Sequence, residues 1–445
     1  MRGSFFSYFY PHHKIIKMKR IQAILLFFCI FLTPVVKAQD AYSSYFTDKS
    51  LRIDFLLAGN ASAQHVYIDK YSEEPIWAGT RSNLVAPFEY GEYLFKAFDK
   101  ATGKEIFKVG FSTLFFEWRT TAEAKMLPRA YPQVVTMPFP KASVDVEFFE
   151  RNRTTGGWNS LLKTSIDPTS MFISREAKPS YPRKKILDNG SPAGKVDMVF
   201  IAEGYTKDQM GKFEKDVREM VDYMFQREPY KSRKSDFNIY AVMAPSENAG
   251  PDNPGKGYWS RTPLASTFYT FGTDRYLTTS DYKAVRDAIW DVPTDAIFIL
   301  TNTNVYGGGG IYNYYAMASS DNKYKGEVMI HEFGHSFAGL ADEYFNSETA
   351  YEDFYNLKLE PWEPNITTLV NFDAKWKSML PAGTPIPTIS DPNKPRDLGV
   401  YEGGGYMAKG IYRPIDKCQM RVNTKDGFCP VCQQAISRMI DYFVK

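Results

Sequence analysis

Two histidines four residues apart, with a glutamate beside the first, constrain this chain more than any other feature: His331-Glu332-Phe-Gly-His335. On an α-helix, residues i and i+4 lie one above the other on one face, so the spacing predicts a helix whose two imidazoles converge on one metal ion. Glu332 then stands beside that ion, where it can serve as general base towards a water molecule. The five-residue pattern alone arises by chance in roughly one chain in a hundred of this length, so its surroundings decide how it is read. Upstream, 324–330 supplies apolar residues at helical spacing; downstream, Gly339 can end the helix in a left-handed cap. A solvated surface helix would not need apolar residues on both flanks of the motif.

The chain has five histidines, His12, His13, His65, His331 and His335. The first two fall in a segment expected to be removed, so a third protein ligand is either the distant His65 or a carboxylate. Asp342, Glu343, Glu348 and Glu352 follow the motif. On an unbroken helix Asp342 would lie roughly 10 Å beyond His335 along the axis, too far to share an ion whose bonds are about 2 Å. The chain must therefore turn back, and Gly339 is where turning costs least, because glycine enters positive φ without a Cβ clash.

The string HEFGHSFAGLADEY at 331–344 resembles the metzincin metallopeptidases, in which a glycine followed three residues later by His or Asp completes the site. The step from glycine to ligand is kept as Gly339 to Asp342, with one extra residue between His335 and the glycine. By that resemblance Asp342 is the favoured third ligand over Glu343, with Glu348 and Glu352 as alternatives from a later helix. YGGGGIYN at 306–313, YEGGGYMAKGIYRP at 401–414 and CQM followed by FCPVC at 418–432 extend the likeness to the bacterial IgA peptidase family of zinc metallopeptidases. Those matches run from about Val196 to the C-terminus; GFSTLFFEWRTTAEA at 110–124 is similar to the family's N-terminal domain. The resemblance implies a secreted zinc endopeptidase with a metzincin-like core, and does not imply that immunoglobulin A is the substrate. It also implies that Met420 sits on a tight turn beneath the metal, and that Tyr401, Tyr406 or Tyr412 donates to a developing oxyanion.

Met18-Lys-Arg20, the apolar run Ile21–Leu32 and the small-residue site ending at Ala38 read as a signal peptide over 1–38, with 18–38 as its core. The apolar run is too short to favour a membrane span. Cleavage there removes six basic residues (Arg2, Lys14, Lys17, Lys19, Arg20, Lys37) and no acidic ones, turning a net charge of +3 into −3. No basic stripe remains to bind nucleic acid. The mature chain is expected to be a secreted monomer with no integral membrane span. It keeps Cys418, Cys429 and Cys432, for which an oxidising compartment suggests one disulfide, Cys418 with Cys429 or Cys432, and a leftover thiol. A zinc knuckle there would need a fourth ligand.

Short alternating apolar runs broken by turns fill 40–175: 51–58, 65–71, 91–99, 105–116, 144–151 and 158–164. They predict an all-β sandwich domain. Residues 176–195, polar and rich in Lys and Pro, read as a linker. From 196 to 445 strands alternate with helices (strands 196–202, 237–244 and 296–301; helices 207–225 and 280–290), which predicts an α/β catalytic domain. Gly307–Gly310 lacks the Lys-Ser/Thr of a phosphate loop and reads as a flexible rim before an edge strand at 314–319. Residues 246–257 are polar enough to hold calcium, but a plain surface loop is the better account of them.

These readings converge on zinc-dependent hydrolysis of peptide bonds in protein or peptide substrates, host glycoproteins or immunoglobulins among the candidates. The expected zinc ligands are His331, His335 and, by the resemblance, Asp342, with Glu332 as the expected base. A different class of function is a secreted or surface adhesin that binds through the β domain and keeps the peptidase fold as scaffold; an intact Glu332 argues against it. A zinc amidase acting on peptidoglycan shares the chemistry and differs in substrate.

Overall fold

The computed structural model describes residues 42–345 and 354–445, together with Gly3. The signal segment, Glu348 and Glu352 otherwise lie outside the described residues. Among the described residues no helix is long and apolar enough to cross a membrane.

The N-terminal unit has two four-stranded sheets. Its strands are β1 (Phe46–Gly59), β2 (Gln64–Glu74), β3 (Tyr93–Asp99), β4 (Glu105–Phe111), β5 (Arg129–Pro140), β6 (Val144–Arg151), β7 (Trp158–Ile166) and β8 (Ile173–Ser174). One sheet has the order β5-β1-β2-β8 and the other β4-β3-β6-β7. They share a core in which Phe55 of the first meets Phe148 of the second, with ring centroids 4.8 Å apart.

Two local features differ from the sequence reading. The run 105–116 is strand only to Phe111; Thr113 then caps helix α1 (Leu114–Arg119) by accepting from Phe116 N at 3.1 Å. Strand β5, absent from the pattern reading, carries Pro132, Pro138 and Pro140. It forms an edge of its sheet, where a missing N–H costs least.

The second unit is built on a six-stranded mixed sheet. Its strands are β9 (Arg183–Leu187), β10 (Val196–Glu203), β11 (Phe237–Val242), β12 (Ala296–Thr301), β13 (Gly308–Ile311) and β14 (Tyr315–Ser319), in the order β13-β14-β12-β10-β11-β9. The four central strands are parallel and the two edges antiparallel to their neighbours. All eight residues of β10 are buried, as expected of a parallel strand covered on both faces. Helices α2 (Met210–Met224), α3 (Tyr282–Ala288), α4 (Lys325–Ala338) and α5 (Pro430–Val444) complete the unit with a hairpin, β15 (Tyr401–Gly404) and β16 (Met407–Arg413). Met198, Phe200 and Phe298 pack with residues of α2, α4 and α5, while Val199, Ile201 and Ile299 join α3 and the N-terminal sheets in one continuous core.

The segment 176–195 is therefore more than a connection, since β9 lies inside it and pairs with β11. The edge strand expected at 314–319 is interior. The true edge is β13, made from the glycine run read as a rim, and its outer side is already met at Gly308, whose carbonyl accepts from Leu277 N at 3.3 Å. In the loop 246–257 the polar side chains serve the main chain: Asp252 accepts from Ser260 N at 2.6 Å and Asn248 from Arg261 N at 3.0 Å.

A buried ion network binds the two units. Arg52 on β1 is fully buried; it pairs with Asp54 at 2.5 Å and Glu74 at 3.3 Å on its own sheet, and with Asp287 of α3 at 2.8 Å. Removing one partner of such a buried pair costs about 3–5 kcal/mol.

Candidate metal centre and active-site cleft

Helix α4 carries His331, Glu332 and His335, and stops where the sequence said it would. Gly339 takes φ +64°, its N–H bonds to His335 O at 3.0 Å, and Leu340 N–H bonds to Gly334 O at 3.2 Å. The chain turns back after Gly339 and brings Asp342 to the histidines. His331 Nε2 lies 3.1 Å from Asp342 Oδ1, His335 Nε2 lies 3.4 Å from the same oxygen, and the two Nε2 atoms are 3.1 Å apart.

The hydrogen bonds on the far side of each ring settle what those atoms are. His331 Nδ1 faces Gln419 O at 2.9 Å and His335 Nδ1 faces Leu340 O at 2.5 Å. A carbonyl only accepts, so each Nδ1 carries a proton and, in the neutral ring, each Nε2 presents a lone pair. With neutral rings two lone pairs and a carboxylate oxygen thus converge, and buried Asp342 Oδ1 lacks a hydrogen-bond partner unless a ring nitrogen beside it is protonated. Such an arrangement repels itself unless a cation lies within it. Zinc bonds of about 2.0–2.1 Å at tetrahedral angles place ligand atoms about 3.3 Å apart, so the donor set and its spacing fit zinc.

Without a cation between them, the carboxylate instead draws protons onto the rings. Burial pulls His335 down, but the charge of Asp342 and its hydrogen bond override this and push it up to about 9. His331 is also raised: burial and the neighbouring His335 lower it, but its hydrogen bond to Asp342 and the charges of Glu332 and Asp342 together raise it overall. Asp342 is driven far below the usual carboxylate range, the histidine charges and hydrogen bonds overcoming its burial. Burial raises Glu332, against the two histidines.

Glu332 owes its surroundings to the glycine run. A Cβ on Gly308 would lie 2.9 Å from Glu332 Oε1 and 2.8 Å from Val328 Cγ1, and one on Gly310 would press on the Glu332 backbone, 2.9 Å from its carbonyl carbon. Only glycine lets β13 run this close to α4. The sequence reading missed this, although a run of four glycines before a strand is the signal for a close backbone approach.

Met420 is fully buried on a turn after Cys418, and a Cβ on Gly334 would lie 3.0 Å from its sulfur, so it packs against the helix turn between the two histidines. Of the three tyrosines, only Tyr406 reaches the site. It occupies the two-residue turn between β15 and β16 with Gly405, both at positive φ (+66° and +54°), and donates to Asp342 Oδ2 at 2.5 Å. Tyr401 instead donates to Asp397 O at 3.1 Å, and Tyr412 pairs through its main chain with Thr367. His65 is exposed on β2, outside the cluster. Glu343 points away from the histidines, with Oε1 3.3 Å from Cys432 Sγ.

The site opens into a cleft of ≈ 410 Å³. One wall comes from β13 and α4, another from Tyr344, Phe354, Trp362 and Tyr406, and a third from the N-terminal unit through Glu92, Ser112, Phe116 and Glu117. Arg275 also lines it; burial lowers its pKa, but Tyr344, Tyr306, Asp342 and Glu332 raise it overall. Arg275 carries no sequence signature; Ser112, Phe116 and Glu117 lie in the segment 110–124 singled out above, though its place at the cleft is a property of the fold.

A turned-back helix bearing two histidines and a carboxylate at the mouth of a cleft is the arrangement of a metallohydrolase. Residues 185–394 and 388–440 match the family described as IgA Peptidase M64, and residues 41–160 match the Peptidase M64 N-terminus. The chain belongs to the IgA peptidase M64 family of metallopeptidases, which makes it a peptidase acting on protein substrate and implies a metal. No curated protein matches it.

Proposed function

We propose that this protein is a secreted zinc endopeptidase in which His331, His335 and Asp342 hold the metal and Glu332 is the general base. The observation that carries the reading is the convergence of two imidazole nitrogens and a buried carboxylate oxygen within 3.1–3.4 Å, on rings whose Nδ1 protons are already committed to carbonyls. Bound there, zinc would supply Lewis-acid polarisation of the scissile carbonyl and of the attacking water. Glu332 takes the proton of that water on its carboxylate and returns it to the leaving amine. Gln419 O and Leu340 O fix the rings in the tautomer that leaves Nε2 free. Tyr406, at the rim beside Asp342, serves either to orient that carboxylate or to donate to the developing oxyanion.

In this reading residues 40–175 are a β-sandwich domain, 176–195 a connection that contributes β9, and 196–445 a metzincin-like domain with Met420 as the hydrophobic floor. The N-terminal unit then acts in substrate positioning, because it supplies a wall of the cleft. Segment 1–38 directs export. The test is hydrolysis of casein and of a proteome-derived peptide library by wild type and Glu332→Gln, with and without phenanthroline. Cleavage abolished by chelator, restored by zinc and lost in Glu332→Gln despite bound metal supports the reading; chelator-resistant cleavage, or an active Glu332→Gln, sinks it. A chain that binds glycoprotein without cutting it would favour the adhesin.

A further inference from the structure

Behind the histidine site lies a second cluster that peptide hydrolysis does not use. Glu343, Cys418, Cys429 and Cys432 are all buried, and one ligand atom from each lies within 4.8 Å of every other. We propose that these four residues form a second, closed metal site that takes a soft divalent cation, zinc by preference, and serves structure rather than catalysis.

The sequence offered three sulfurs and no fourth ligand; the fold supplies it. Turning back after Gly339 sends Asp342 to one side and Glu343 to the other. Cys418 Sγ and Cys432 Sγ stand 3.8 Å apart, and Glu343 Oε1 lies 3.3 Å from Cys432 Sγ. Tetrahedral zinc with Zn–S bonds of about 2.3 Å and a Zn–O bond of about 2.0 Å sets sulfurs about 3.8 Å apart and sulfur and oxygen about 3.5 Å apart. Main-chain N–H groups already point at the sulfurs: Cys429 N lies 3.4 Å from Cys418 Sγ, and Cys432 N lies 3.4 Å from Cys429 Sγ, at the start of α5. Donors so placed at a helix N-terminus favour the Cys429 thiolate; burial raises Cys418 and Cys432, which a bound cation would hold as thiolates.

The rival is the disulfide expected from sequence, with one thiol over. The carboxylate decides between them. Glu343 is fully buried, its Oε1 accepts from Asn365 Nδ2 at 3.0 Å, and its Oε2 has no partner. A disulfide would leave Glu343 either charged without a cation or, as its burial favours, protonated with Oε2 still lacking a partner, and both are costly. Arg421 feels its charge, yet commits Nη1 to the Asp416 main-chain oxygen at 2.5 Å and carboxylate at 3.1 Å. A metal ion satisfies carboxylate and sulfurs together. It would also tie together the loop carrying Asp342, the turn carrying Met420 and Gln419, and the start of α5, to which Glu343 N already contributes by bonding Met420 O at 2.9 Å.

The test uses the purified full chain loaded with cobalt in place of zinc. Thiolate ligands give Co(II) an intense near-ultraviolet charge-transfer band that histidine and carboxylate ligands do not. The expected result is two metal ions per wild-type chain with that band. A His331→Ala/His335→Ala variant should keep the band with one ion, so failure of the catalytic reading would not disturb this one. Cys418→Ser/Cys432→Ser should lose the band, and Glu343→Gln should bind the sulfur-held ion at least tenfold more weakly. Should the cysteine variant fail to fold, wild type and the histidine variant still decide. A wild-type chain without the band, or with an intact mass short by two hydrogens, overturns the proposal in favour of the disulfide.

Discussion

Asp342 and Glu343 are consecutive yet face different clusters: Asp342 Oδ1 lies 3.1 Å from His331 Nε2, and Glu343 Oε1 lies 3.3 Å from Cys432 Sγ. An extended segment sends neighbouring side chains to opposite sides, so a single turn after α4 equips both. Substituting the two should separate their roles. Asp342→Ala is expected to lose the histidine-held ion and at least about 100-fold in peptidase activity, because it removes one of three ligands. Glu343→Ala should retain that ion and measurable activity. Metal content per chain and hydrolysis of one reporter peptide check both; an active, metal-replete Asp342→Ala would move the third ligand elsewhere.

Tyr406 holds a left-handed backbone conformation that costs a non-glycine residue about 1–3 kcal/mol, and its hydroxyl meets the free oxygen of Asp342. Strain of that kind persists where the surroundings enforce it. Tyr406→Phe removes only the hydroxyl, so it should lower zinc affinity or kcat about 10–100-fold while the fold stays intact. A fall in zinc affinity would mark Tyr406 as the residue that orients Asp342, whereas a fall in kcat alone would mark it as an oxyanion donor. Wild-type values for both would show that the bond is incidental.

What sequence made legible here is the chemistry that depends on side-chain identity and spacing. His331, Glu332 and His335 declare a shared helix face, and Gly339 declares its end, because both follow from helix geometry. The strands that alternate, such as Val144–Arg151, were equally plain. Contributions from the main chain were not: Gln419 and Leu340 act through carbonyls that every residue possesses. Strand β5 was hidden by its prolines, which are tolerated only because it lies at an edge, and edge position is a property of the sheet. Glu343 could be weighed as a rival to Asp342, but its distance from the cysteines closes only when the chain folds.

The glycines of β13 make a prediction about packing. Gly310→Val would drive a branched side chain into the Glu332 backbone, and should destabilise the fold by about 1–3 kcal/mol and lower kcat by displacing the base. Gly194→Ala is the control, since a Cβ there meets nothing within 4 Å and should change stability by no more than about 0.5 kcal/mol. Urea unfolding of the two variants compares them. Wild-type stability in Gly310→Val would mean that β13 does not approach α4 this closely.

A pair of aspartates at the base of the six-stranded sheet sets the last expectation. Asp295 Oδ2 accepts from Asp197 N at 2.9 Å, and Asp197 Oδ1 accepts from Asn238 Nδ2 at 2.9 Å. Burial pushes Asp197 up to about 6, and pushes Asp295 well above its ordinary value, with the nearby Asp197 charge adding to the effect. In the unfolded chain an aspartate loses its proton near pH 3.9. Between that value and the raised folded values the native state holds more protons than the unfolded state, so these groups make stability fall as pH rises through the window. Asp295→Asn keeps an acceptor for Asp197 N and removes one titration. Its stability should therefore decline less steeply than wild type from about pH 4.5 to 8, with a gain on the order of 1–3 kcal/mol at the upper end. A metal held at the histidine site would tighten with pH in both proteins alike and cancel in the comparison. Urea midpoints measured across that range decide it: parallel profiles for wild type and Asp295→Asn would show that Asp295 is already ionised in the folded chain.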